Sequence, residues 1–137
     1  MQESRGKPLV FLAYVSRMLC DPAEVAEILR VSRLRNGQTG LTGLLLHDQR
    51  HFFQIIEGEV VAVGATLLRI ADDPRHRDVR ILASRRVDFR LFSNWRMRDA
   101  EFRDGRATIA STLADIETLP PAARAEAIQG VALEYGG

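Results

Sequence analysis

The sequence predicts an α+β fold, with helices packed on one face of a mostly antiparallel sheet. Two observations carry that expectation. Runs of strand length, rich in β-branched and aromatic residues, recur at 8–16, 39–48 and 50–58. Two stretches with helical spacing of apolar residues, 21–37 and 59–73, stand between such runs.

"PLVFLAYVS" (8–16) is the first strand, with Val10, Leu12 and Tyr14 on one face. "DPAEVAEILRVSRLRNG" (21–37) is a helix. Asp21 suits its N-cap, Pro22 its first turn, and Glu24 completes a capping box. Val25, Ile28, Leu29 and Ser32 line one side, and Gly37 is placed to end it. "TGLTGLLLHD" (39–48) and "RHFFQIIEG" (50–58) form a hairpin around a turn at Asp48-Gln49. "EVVAVGATLLRIADD" (59–73) is the second helix, with Val63, Leu67 and Ile70 in phase. Pro74 disfavours helix at Asp73 and so closes it. "DVRILASRRVDF" (78–89) and "RLFSNWRM" (90–97) complete the strands. The order β-α-β-β-α-β-β is that of a ferredoxin-like sandwich with both helices on one sheet face. In it the first and third strands are central neighbours, so Tyr14 and Gln54 can meet beneath the helices.

Beyond residue 100 the composition changes. Two short helices separated by Pro120-Pro121 carry apolar stripes at Ile109, Leu113, Ile116 and at Ala125, Ile128, Leu133. They either cap the second face of the sheet or serve as a dimer or partner surface. The expected division is a tail at 1–8, a domain at 9–100 and a helical extension at 101–137.

With 137 residues, 46% of them hydrophobic and 27% charged, the chain has the composition of one globular domain. A net charge of +1 is too mild to imply nucleic acid or a membrane surface as partner. One cysteine, Cys20, precludes an internal disulfide framework, and no apolar run approaches the length of a membrane span. Both point to the cytoplasm.

His47 and His51 flank the hairpin turn without the thiolates or carboxylates that a zinc site needs, so no metal is expected. No Ser-His-Asp arrangement, phosphate loop or dinucleotide fingerprint is present, which argues against an enzyme. The polar residue that demands an explanation is Gln54, in the middle of "HFFQIIEG". Period two gives it Phe52 and Ile56 as neighbours on one face, with Phe53, Ile55 and Glu57 on the other. A buried amide without partners costs about 1–3 kcal/mol. Tyr14, Asn36, Gln54, Arg69 and Asp73 each have an ordinary structural reading, Asn36 as a helix terminator and Arg69–Asp73 as a surface pair. Together they could surround a planar polar ligand.

The motifs "YVS" (14–16), "RNGQTGLTGLLL" (35–46), "FFQIIEG" (52–58), "RIADDPRH" (69–76) and "FSNWRM" (92–97) occur in order. On them the sequence resembles the BLUF domains, which sense blue light using flavin, from about Leu9 to Met97. The resemblance implies bound FAD, with FMN possible, and a non-enzymatic photoreceptor. Tyr14 then matches the tyrosine that gives an electron and a proton to the excited flavin. Gln54 matches the glutamine between that tyrosine and the flavin, and Asn36 the asparagine at the pyrimidine edge. Ile28 and Ile70 match residues that sandwich the ring, and Arg69 and Asp73 polar positions near it. Arg35, at a variable position, Phe52 and His76 complete the expected flavin-binding set. Trp95 and Met97 match a pair linked to signalling. The expected output is to a separate, unidentified effector protein or to homo-oligomer formation. A flavin-free interaction module on the same sandwich is the alternative, and an acylphosphatase-like enzyme is disfavoured because "SRMLCDPAE" offers no anion-binding nest.

Overall fold

The structure, a computed structural model, describes residues 8–19, 21–48, 50–92, 98–101 and 109–136. Strand β1 spans Leu9–Met18, followed by helix α1 (Pro22–Thr39), β2 (Thr42–His47), β3 (His51–Glu59), α2 (Val60–Asp72), β4 (His76–Val87), β5 (Arg98–Glu101), α3 (Ile109–Glu117) and α4 (Pro121–Gly136). The sheet order is β4-β1-β3-β2-β5. Its first four strands are antiparallel neighbours, and β5 joins β2 in parallel. This is the ferredoxin-like order with one added edge strand.

Strand alternation divides the core into two layers. Leu12, Tyr14, Leu45, Phe52 and Ile56 face α1 and α2, packing against Val25, Ile28, Leu29 and Val63. Phe11, Ala13, Val15, Leu44, Phe53 and Ile55 face the opposite way, against Ile109, Leu113, Ile116, Ala125, Ile128 and Ala132 of α3 and α4. Both faces of the sheet are thus covered, which explains why β1–β3 read as nearly continuous apolar runs.

Four expectations need correction. Helix α1 does not stop at Gly37; it runs to Thr39 and ends on Gly40, at φ 77°, whose N–H donates to the Asn36 carbonyl at 2.8 Å. The left-handed conformation decides where a helix ends, and Gly37 keeps helical geometry. Residues 90–92 are not strand, 93–97 lie outside the described residues, and the fifth strand is Arg98–Glu101. Strand β4 instead starts earlier, at His76. On α4 the buried position is Ala132 rather than Leu133, which is 50% exposed, because 125, 128 and 132 keep helical phase.

The expected capping box is present at Asp21 and Glu24, with the Asp21 N–H donating to Glu24 Oε1 at 3.3 Å, and Asp73 leaves the helix with ψ 120° before Pro74. Gly43 is required by packing: a Cβ there would strike the Ile55 carbonyl of β3.

Candidate functional site

A cleft opens between α1 and α2, over the sheet. Its lining combines Ile28, Val31, Ser32, Arg35 and Asn36 of α1 with Thr66, Arg69 and Ile70 of α2. Gln54 contributes from β3, and Asp73, Arg75 and His76 from the turn into β4. The helical spacing 28–32–35–36 puts one face of α1 on the cleft, and 66–69–70 does the same for the last turns of α2.

The floor is built by β1 and β3. Tyr14 and Gln54 are directly opposite in register, and the Tyr14 hydroxyl donates to Gln54 Oε1. Tyr14 is fully buried and Gln54 6% exposed. Burial, and secondarily the Asp73 carboxylate, push the Tyr14 phenol far above its ordinary range, so it stays a neutral donor. An amide whose carbonyl is committed to the phenol presents its NH2 as the donor end.

Two bulges in the β1–β4 pairing flank Tyr14. Ala13 pairs with Ala83 while Tyr14 pairs with Ile81, and Val15 pairs with Arg80 while Arg17 pairs with Arg77. Asp78, in the second bulge, has φ 56°. Such irregularities re-aim side chains. Here His76 is brought inward, where Nδ1 lies 2.8 Å from Ser16 Oγ. Its ring sits 4.6 Å from that of Phe52 and 6.3 Å from that of Tyr14, centroid to centroid.

Asp73 and Arg75 close one end. The Arg75 guanidinium donates to both Asp73 oxygens, at 2.7 and 3.0 Å for the shorter pair, and holds the carboxyl below its usual range. Asp73 therefore takes Arg75, not Arg69, as its partner. Pro74 has ended the helix, so Asp73 is out of i,i+4 register with Arg69, whose guanidinium donates to Thr66 Oγ1 at 3.1 Å.

Of the residues singled out from sequence, Ile28, Arg35, Asn36, Gln54, Arg69, Ile70, Asp73 and His76 line the cleft. Phe52 does not. It is fully buried behind His76 and supports that ring from below. Trp95 and Met97 lie outside the described residues. Val31, Ser32, Thr66 and Arg75 line the cleft without having been singled out. Val31, Ser32 and Thr66 are one helical turn from Ile28, Asn36 and Ile70, a signal the spacing already carried. Among the described residues no group of three His, Cys, Asp or Glu side chains is placed to hold a metal.

Burial lowers the His76 pKa to about 4 from 6.5; the Asp73 carboxylate opposes that shift and the Arg75 charge adds to it. Between those values the unfolded chain binds the proton and the folded one does not. Stability accordingly falls as pH drops from 6.5 towards 4, by about 3 kcal/mol in all. The loss from Asp73 comes at still lower pH, because its carboxyl is shifted downward. Urea unfolding midpoints of the wild type between pH 7 and 4.5 will show this slope, and His76→Gln will flatten it. An equal slope in both proteins would assign it to other groups.

The donor set fits a flavin. Ile28 and Ile70 offer apolar surface from opposite helices, the Asn36 and Gln54 amides offer paired donor and acceptor groups, and arginines line the same cleft for anionic groups.

Comparison with known proteins agrees. Residues 9–98 match the BLUF family model, described as sensors of blue-light using FAD. The β subunit of the photoactivated adenylate cyclase of Euglena longa is 36% identical over 81 residues, 59% of this chain and 9% of that protein. The chain thus spans about a tenth of the curated relatives it matches. The dark-state structure of the BLUF protein BlrB superposes with a TM-score of 0.75 at 33% identity, covering 90% of this chain and 93% of that one. Klebsiella pneumoniae BlrP1, solved with FMN and cyclic diGMP, gives 0.64 at 32% identity over 68% of this chain and 26% of that one. By the extent of the family match and the near full-length similarity to BlrB, this chain belongs to the BLUF family of flavin-based blue-light sensors.

Proposed function

We propose that this chain holds FAD in the cleft between α1 and α2 and uses Tyr14 and Gln54 as a light-operated hydrogen-bond switch. The observation that carries the reading is the buried bond from the Tyr14 hydroxyl to Gln54 Oε1 on the cleft floor. When bound, flavin absorbs blue light and, excited, takes up an electron and a proton.

The residues of the chain do the rest. Tyr14, neutral and buried, supplies the electron and the proton and takes them back. Gln54 can exchange its acceptor and donor ends by rotation or tautomerisation, which changes the groups that it joins. Asn36 would recognise the pyrimidine edge, Ile28 and Ile70 would hold the ring between them, Arg69 and Asp73 would meet the polar groups near the ring, and Arg35 a flavin carbonyl or phosphate. A rearranged pair of hydrogen bonds is worth about 1–3 kcal/mol, enough to bias a two-state surface. No substrate is consumed.

The family description favours FAD, whereas the BlrP1 structure shows FMN in a related protein. Residues 9–100 form the sensor and 101–137 an extension whose described helices cover the sheet, and the resemblance assigns Trp95 and Met97 to signalling. Output passes to a separate effector protein or to self-association, and the single cysteine supports a cytoplasmic setting. No described helix is long and apolar enough to cross a membrane.

Reconstitution tests the cleft assignment. Asn36→Leu will weaken flavin binding about tenfold or more, because the ring edge loses its amide partner. Wild-type affinity in that variant would move the site elsewhere, and parallel titrations with FAD and FMN will rank the two cofactors.

A further inference from the structure

Glu57 lies three residues along β3 from Gln54, on the opposite face of the sheet. It is 1% exposed and is the only buried carboxylate among the described residues. A carboxylate is costly to bury unless it is well hydrogen-bonded. Glu57 is: its Oε2 accepts the Leu91 N–H at 2.7 Å and its Oε1 the Phe92 N–H at 2.9 Å. Arg90 adds two bonds to the same place, from Nη1 to the Glu57 carbonyl at 3.2 Å and to Thr42 Oγ1 at 3.1 Å. Thr42 is the β2 residue paired with Glu57.

Residues 90–92 follow β4 without forming strand, so one side chain of β3 supplies the partners that a ladder would otherwise give. Phe92, 2% exposed, in turn packs in the core under α3 and α4. A continuous path therefore runs from the cleft floor at Gln54, along β3 to Glu57, into residues 90–92 and on to the C-terminal helices.

We infer that Glu57 is the positioning residue that carries a change at Gln54 through the sheet to residues 90–92 and the C-terminal helices. The inference rests on the light-switch reading of Tyr14 and Gln54. Strand β3 is hydrogen-bonded on both sides, and a closely packed core passes on a small shift rather than absorbing it. Both N–H bonds to Glu57, at 2.7 and 2.9 Å, are well-formed hydrogen bonds, and displacement of the carboxylate lengthens them. Light therefore loosens the clamp. A carboxylate that merely satisfied the loop would hold it equally in light and dark.

The test is amide hydrogen exchange of the flavin-loaded full chain, in the dark and under continuous blue light, with the absorption spectrum recorded on the same samples. In the wild type, the Leu91 and Phe92 amides will exchange about tenfold faster in the light, the change expected for one hydrogen bond. Glu57→Gln will keep the spectral shift but shrink the light–dark difference in exchange. If that variant does not fold, the wild-type comparison decides alone. Equal exchange in light and dark, in protein that shifts its spectrum, overturns the clamp and leaves the switch standing. Loss of the clamp's response together with an absent spectral shift overturns the switch itself, and this inference with it.

Discussion

Tyr14→Phe will retain flavin and its visible absorption but lose the reversible light-induced red shift. The substitution removes one oxygen from a ring that is fully buried and keeps its shape, so packing of Leu12, Phe52 and Ile56 around it is preserved. What disappears is the only O–H on the cleft floor that donates to Gln54 Oε1 among the described bonds. Phenylalanine has no proton to give and is far harder to oxidise than a phenol. The loss of one buried hydrogen bond lowers stability by about 1 kcal/mol, and the photochemical loss is complete by comparison. Light-minus-dark absorption spectra of the variant measure it. A shift of wild-type amplitude would mean that another group is the donor.

Gln54→Leu has the second-largest effect and separates the donor from the switch. Leucine approximates the volume of glutamine and suits the apolar neighbours, yet it offers no acceptor to the phenol and no donor to the cleft. The buried Tyr14 hydroxyl is left without its partner, at a cost of about 1–3 kcal/mol. Flavin binding will persist, since Asn36, Ile28, Ile70 and the arginines remain. The red shift will not, because no amide is left to rearrange. If the shift survives, the hydrogen bonds of Gln54 do not encode the lit state.

The main features of the fold were legible because each rested on a strong local rule. Asp21, Pro22 and Glu24 mark the start of α1, Pro74 marks the end of α2, and alternation along β1 and β3 put Tyr14 and Gln54 on the same face. Where the reading failed, tertiary context decided. Gly37 and Gly40 are both plausible stops, and only backbone conformation distinguishes them. Leu133 is the larger hydrophobe, but Ala132 has the phase that faces the sheet. The last strand lies elsewhere because "RLF" satisfies strand propensity yet is tied down by Glu57, 34 to 35 residues earlier in the chain, a contact that local pattern cannot see. Glu57 itself was visible only as a polar residue beside Phe53 and Ile55. The cleft residues came partly from spacing and partly from resemblance. Arg75 went unnoticed because its role depends on Asp73 having left the helix.

The central claim is that blue light reversibly rearranges hydrogen bonding between this chain and a bound flavin. The direct measurement is the visible absorption spectrum of the purified protein in the dark, just after blue light, and after return to darkness. The account predicts a flavin spectrum that moves slightly to the red and recovers fully in the dark. A flavin band that only bleaches, or a protein that stays colourless after reconstitution with FAD and FMN, would contradict it.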